Sequence, residues 1–207
     1  MTDEMGIERL KNEFREILGM QTDRVSIRTL KKKPAGSLAL IEVNVKLPKA
    51  TYYIEGADDT IPKATNEISF LIDVLDGFPR TKPHVYYYQN KILAHVNTFT
   101  SGSQCIDDWL YDEEHSGNNS SLAGTVQKTV MAIIHDPAVT RYDSMANGNL
   151  RKWQQEKTAA GEFPSCRINM LLKLDGNDTG MPAVPVKEVA ATGKVRPAVP
   201  TRRGGIQ

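Results

Sequence analysis

The residues best equipped for chemistry lie in one stretch, His95-Val96-Asn97-Thr98-Phe99-Thr100-Ser101-Gly102-Ser103-Gln104-Cys105. It places an imidazole ten residues, a carboxamide eight and a glycine three before a thiol. A thiol can take an acyl group as a thioester and hand it to an amine. Cys105 sits among Ser, Gln and Asp rather than aliphatic residues, which argues against the buried apolar setting common for free cysteine. Gly102 suits a backbone conformation that a side chain would forbid, and Asn97 could simply pin a turn. Hydrolysis by this thiol would need a histidine base in reach, and His95 and His115 are the candidates. The four histidines, His84, His95, His115 and His135, have no ligand spacing with either cysteine, so neither a metal nor a cofactor is expected. Cys166, in Phe163-Pro164-Ser165-Cys166, belongs to no motif and reads as structural or incidental.

The elements that must position this stretch can be read from periodicity. Ile7, Leu10, Phe14, Ile17 and Leu18 recur at helical spacing between roughly Asp3 and Met20, with Gly19 as a stop. Four extended segments follow at Val25–Leu30, Ser37–Leu47, Ile68–Leu75 and Val85–Gln89. Nothing between them is long enough for a helical crossover, so the spacing predicts an antiparallel meander. Residues 90–108 read as irregular, and 112–121 as a polar acidic loop. A helix is predicted from Ser121 to Ile134, stopped by His135-Asp136-Pro137, and a last one from Ser144 to Lys157 around Met145, Leu150 and Trp153. The fold class is therefore α+β. Residues 1–160 form the domain, and 161–207 read as a basic, Pro/Gly-rich C-terminal tail, largely disordered, with one apolar patch at Ile168–Leu174.

Bulk properties narrow the function. A chain of 207 residues with 40% hydrophobic and 25% charged residues and a net charge of +1 gives no global cue for nucleic acid or a membrane surface. No apolar run approaches the roughly 18–20 residues needed to span a bilayer. The first residues lack the basic and apolar regions of a signal peptide. Two cysteines are too few for a disulfide framework and fit a reducing, cytoplasmic setting.

Around Cys105 the chain resembles the ubiquitin-conjugating enzyme (E2) family, whose signature runs His-Pro-Asn, a short turn, a glycine, two residues and the catalytic cysteine followed by Leu or Ile. His95, Asn97, Gly102 and Cys105-Ile106 match at the family spacing. The first helix, the strand meander, the Phe78-Pro79 turn and the helix from Ser121 ending at Asp136-Pro137 follow the family order, so the resemblance covers about residues 5–158. It implies a UBC-like fold and an E2-like transferase: Cys105 accepts a ubiquitin-like modifier as a thioester from an E1-like activating enzyme and passes it to a lysine of a target protein. By the same resemblance Asn97 is the oxyanion donor, His95 mainly holds the loop, and the first helix docks the activator through the face carrying Arg9, Lys11 and Arg15. The acidic run Asp107, Asp108, Asp112, Glu113 and Glu114 is either a solvated loop or the source of a carboxylate that orients the incoming amine. Val96 stands where the family has proline, the Phe78–Pro83 stretch is shorter than the eukaryotic pattern, and Trp109 follows the cysteine closely. These departures resemble the divergent bacterial proteins of ubiquitin-like operons and anti-phage (antiviral defence) systems. The terminal Arg202-Arg203-Gly204-Gly205 is similar to a modifier's end, yet the tail is too short and Pro-rich for such a domain and reads as a basic tail. The competing reading is a non-catalytic binding module of the same fold for a ubiquitin-like or partner protein; such modules typically lack the cysteine.

Overall fold

Strict alternation of apolar and polar side chains gives a half-buried sheet one core face. A computed structural model of the chain describes residues 4–56, 61–88, 90–105, 121–143, 145–164 and 166–174. Helix α1 (Glu4–Gly19) is followed by strands β1 (Val25–Thr29), β2 (Ser37–Ile54), β3 (Lys63–Leu75) and β4 (His84–Tyr87), then a two-residue strand β5 (Ile92–Leu93). Helices α2 (Leu122–Ile133) and α3 (Arg151–Ala159) complete the order. The strands pair antiparallel in the order β1-β2-β3-β4, with β5 added to the far end of β2. The fold is thus α+β, with an N-terminal helix, an antiparallel four-stranded sheet and later helices.

The core face carries Val25 and Ile27, then Ile41, Val43, Val45 and Leu47, then Ile68, Phe70, Ile72 and Val74, then Val85 and Tyr87, all buried in one cluster. Burying each such side chain fully is worth about 1.5–3 kcal/mol relative to exposure. Ile17 of α1 and Leu122, Val126, Val130 and Ile133 of α2 close this cluster. Ile7 and Leu18, expected on the buried face of α1, remain 44% exposed; the helix instead buries a carboxylate, Glu13. Its Oε2 accepts the Leu122 amide at 2.7 Å. The first backbone N–H groups of a helix lack partners within it, so Glu13 and the Ser121 hydroxyl, which accepts from Gly124, together cap α2.

Three departures from the sequence reading have local causes. Strand β2 continues past Leu47 because a register shift between Lys46 and Thr51 absorbs Pro48, which has no N–H to offer the ladder. Its far end then supports a second cluster of Ile54, Ile92, Ala94, Val96 and Leu150, against which Tyr52, Tyr142, Met145 and Trp153 pack. Helix α3 starts at Arg151 rather than Ser144, since Asn147 is non-helical and donates its N–H to the Val96 carbonyl. Residues 161–174 are part of the packed unit: Phe163, Leu171 and Leu172 are buried, Thr22 Oγ1 donates to the Leu171 carbonyl at 2.7 Å, and Lys173 N–H bonds Met20. The remaining tail from 175 lies outside the described residues. No described helix is long and apolar enough to cross a membrane.

Candidate active site

Cys105 lies in an extended stretch, 102–105, held on both sides by backbone hydrogen bonds. Toward β4, Tyr87 N–H donates to the Gly102 carbonyl and Gln104 N–H to the Val85 carbonyl, each at 2.8 Å, with Tyr86 opposite Ser103. Toward the preceding arm, Phe99 N–H donates to Ser103 and Cys105 N–H to Asn97, again at 2.8 Å, with Thr98 opposite Gln104. Gly102 has φ +91°, and a Cβ there would lie 3.0 Å from the Tyr87 carbonyl oxygen, so glycine is required by conformation and by space. Alternation leaves Ser103 exposed and Cys105 half-buried while Gln104 points inward. The Gln104 carboxamide is buried, donating to the Asn97 carbonyl and accepting from the Thr98 hydroxyl, both at 2.9 Å.

Asn97 is 1% exposed. Its Oδ1 accepts from Arg141 N–H at 2.9 Å and its Nδ2 donates to the Arg141 carbonyl at 3.1 Å, tying two segments 44 residues apart. His95 is fully buried, and its Nδ1 accepts the Asn97 N–H at 3.1 Å. The ring proton therefore sits on Nε2, which donates to Thr140 Oγ1 at 3.3 Å. Burial pushes its pKa down to about 3, so it is neutral and a weak base at neutral pH. Behind it His135, at φ +55°, stacks on Phe163 with ring centroids 3.7 Å apart, and lies 5.2 Å from the His95 ring. Both His135 ring nitrogens are buried without partners, and burial, then the neighbouring His95, holds its pKa well below the usual value.

The structure thus brings together the three residues singled out from sequence. His95 and Asn97 act as ties within the loop, and Cys105 opens on a groove of about 420 Å³ whose lining includes Lys82, Pro83, His84, Phe99 and Ser103. Cys166 differs: it packs against the main core, and burial raises its thiol pKa. His115, Trp109 and the acidic run at 107–114 lie outside the described residues. Among the described residues no group of three or more His, Cys, Asp or Glu is placed to hold a metal ion. Gln104 and Arg141 escaped the sequence reading because each pairing joins a side chain to backbone across the fold, the Gln104 carboxamide to the Asn97 carbonyl and the Arg141 backbone to the Asn97 carboxamide, which composition cannot reveal. No protein-family model matches the chain, and no curated protein sequence matches it either.

Proposed function

We propose that the chain is an E2-like conjugating enzyme with a UBC-like fold, in which Cys105 receives a ubiquitin-like modifier from an E1-like activating enzyme and delivers it to an amine of a target protein. The observation that carries this reading is the mounting of Cys105: a half-buried thiol at an open groove, its backbone bonded to the Asn97 of the His-x-Asn loop. A rigid backbone keeps the sulfur in place while the acyl group arrives and leaves. By the family resemblance the Asn97 carboxamide, whose Nδ2 also donates to the Arg141 carbonyl, is the oxyanion donor. The cytoplasm of a bacterium, in a defence operon, is the setting this reading implies. A non-catalytic binding module is the second reading, favoured by the engagement of both ends of the Asn97 carboxamide with Arg141.

Incubation with an E1-like activator, ATP and modifier should give an adduct that thiol reductant removes. Cys105→Ser should convert it to a reductant-resistant oxyester, Cys105→Ala should abolish it, and Cys166→Ala should leave it unchanged. Asn97→Ala should load yet transfer slowly. Charge reversal at Lys11 and Arg15 of α1 should slow loading without unfolding the chain. An adduct that persists in Cys105→Ala would refute the assignment of the sulfur, and no adduct with any activator would favour the binding module.

A further inference from the structure

The strand registers place one row of side chains across the outer face of the sheet and into the groove. In the β3–β4 ladder Asp73 stands opposite His84. Beyond β4, Tyr86 stands opposite Ser103, with hydrogen bonds from Tyr87 N–H to Gly102 and from Gln104 N–H to Val85 flanking the pair. Continuing that antiparallel register by two residues sets His84 opposite Cys105, as another non-hydrogen-bonded pair, the type whose side chains approach most closely. Alternation confirms the facing: Ile72, Val74, Val85 and Tyr87 fill the core, so Asp73 and His84 turn the other way. Gln104 is buried inward, and Cys105 shares the groove with His84. Directly opposed residues have Cβ atoms about 4.5–5.5 Å apart. Asp73 is only 8% exposed, and its Oδ1 is buried without a hydrogen-bond partner. A buried, unsatisfied carboxylate oxygen beside an exposed imidazole is an acceptor awaiting a donor.

From this row we infer that His84 is the base for the Cys105 thiol and that Asp73 is the positioning residue that orients its ring. Nucleophile, base and orienter in sequence is the arrangement that activates cysteine elsewhere in protein chemistry, and hydrogen bonds of this kind commonly tighten only when substrate is present. The inference rests on the transferase reading for its acyl donor. His84 takes the S–H proton, giving thiolate and imidazolium. The thiolate attacks the carbonyl carbon of the thioester on the activating enzyme and a new C–S bond forms. The old C–S bond breaks, and the departing thiolate takes the proton from the imidazolium. The carboxylate oxygen of Asp73 accepts the ring N–H and stabilises the imidazolium between the two proton transfers. His95 cannot serve, because both its ring nitrogens are engaged away from the groove.

Among the described residues, the titratable groups around His84 are Asp73 opposite it on β3, Tyr86 two residues along β4, and Lys82 and Cys105 in the groove lining. The test needs neither activator nor modifier. The rate of Cys105 alkylation by iodoacetamide is followed against pH on the full chain, with the Cys105 peptide quantified by mass spectrometry. His84→Gln should raise the midpoint by about one pH unit and slow alkylation at pH 7 about tenfold, as expected when an ordinary thiol near pKa 8.5 replaces an activated one. Asp73→Asn should move the midpoint part of the way in the same direction, and Lys82→Met should move it little. Added imidazole should restore the rate in His84→Ala, which a purely structural defect would not allow. An unchanged midpoint in His84→Gln, or a shift that follows Lys82 instead, would overturn the inference while leaving thioester formation on Cys105 untouched. His84-dependent alkylation with no adduct under any activator would refute the transferase reading and keep the base.

Discussion

Two imidazoles buried back to back make the fold sensitive to mild acid. His95 is fully buried with a pKa near 3, and His135 is displaced in the same direction by burial. Both belong near 6.5 in the unfolded chain. Because the folded values lie below the unfolded ones, the unfolded chain binds more protons as pH falls. Stability is therefore flat above about pH 7 and declines from 6.5 downward. At pH 5 His95 has cost about 2 kcal/mol and His135 adds a loss of the same sign, against the roughly 5–15 kcal/mol that holds a domain together. Ordinary carboxylates titrate lower, near pH 4, so this window isolates the imidazoles. Urea unfolding at half-unit intervals between pH 7.5 and 5 should show stability falling below pH 6 with a slope above one proton's worth, about 1.4 kcal/mol per pH unit. His135→Asn, which tolerates the positive φ at that position, should reduce the slope toward that single-proton value. A flat profile in the parent chain would refute the assignment of both rings as neutral and buried.

Three further outcomes test the scaffold. Glu13→Ala should cost about 1–3 kcal/mol in urea unfolding, because it leaves the buried Leu122 amide at the start of α2 without its acceptor. Leu171→Ala should cost about 2–5 kcal/mol by thermal or urea unfolding, since Leu171 is fully buried in the main cluster; a change below about 0.5 kcal/mol would mean that 161–174 does not pack on the core. Gly102→Ala should destabilise by about 1–3 kcal/mol and alter Cys105 alkylation together, the positive φ and the Tyr87 carbonyl both opposing a methyl group.

Much of this architecture was legible because it is periodic. The alternation of Ile41, Val43, Val45 and Leu47 and of Ile68, Phe70, Ile72 and Val74 marked the inward sets of β2 and β3 before any pairing was known, and α2 announced itself through Leu122, Val126, Val130 and Ile133. What was hidden depends on distance along the chain. The far end of β2 was lost behind Pro48, since a proline reads as a strand end unless an irregularity accommodates it. Leu150 and Met145 suggested a longer last helix, yet both serve the second cluster from before α3, Leu150 from a short 3-10 turn and Met145 from irregular backbone. Phe163, Leu171 and Leu172 were submerged in a tail-like composition. At the site, the spacing of His95, Asn97 and Cys105 was visible, whereas Asp73 and His84 meet only through ladder register, which no local pattern encodes.

The two-sided mounting of 102–105 has a consequence for motion. Gln104 and Cys105 are adjacent, yet their amides answer to different parts of the molecule: the first to Val85 in the main cluster, the second to Asn97, whose neighbour Val96 belongs to the smaller one. Regions with less buried apolar surface open at lower free energy than the molecule as a whole. The smaller cluster can therefore part from the thiol's backbone while the β4 side stays shut. Two consecutive amide protons would then exchange with solvent at rates set by separate openings.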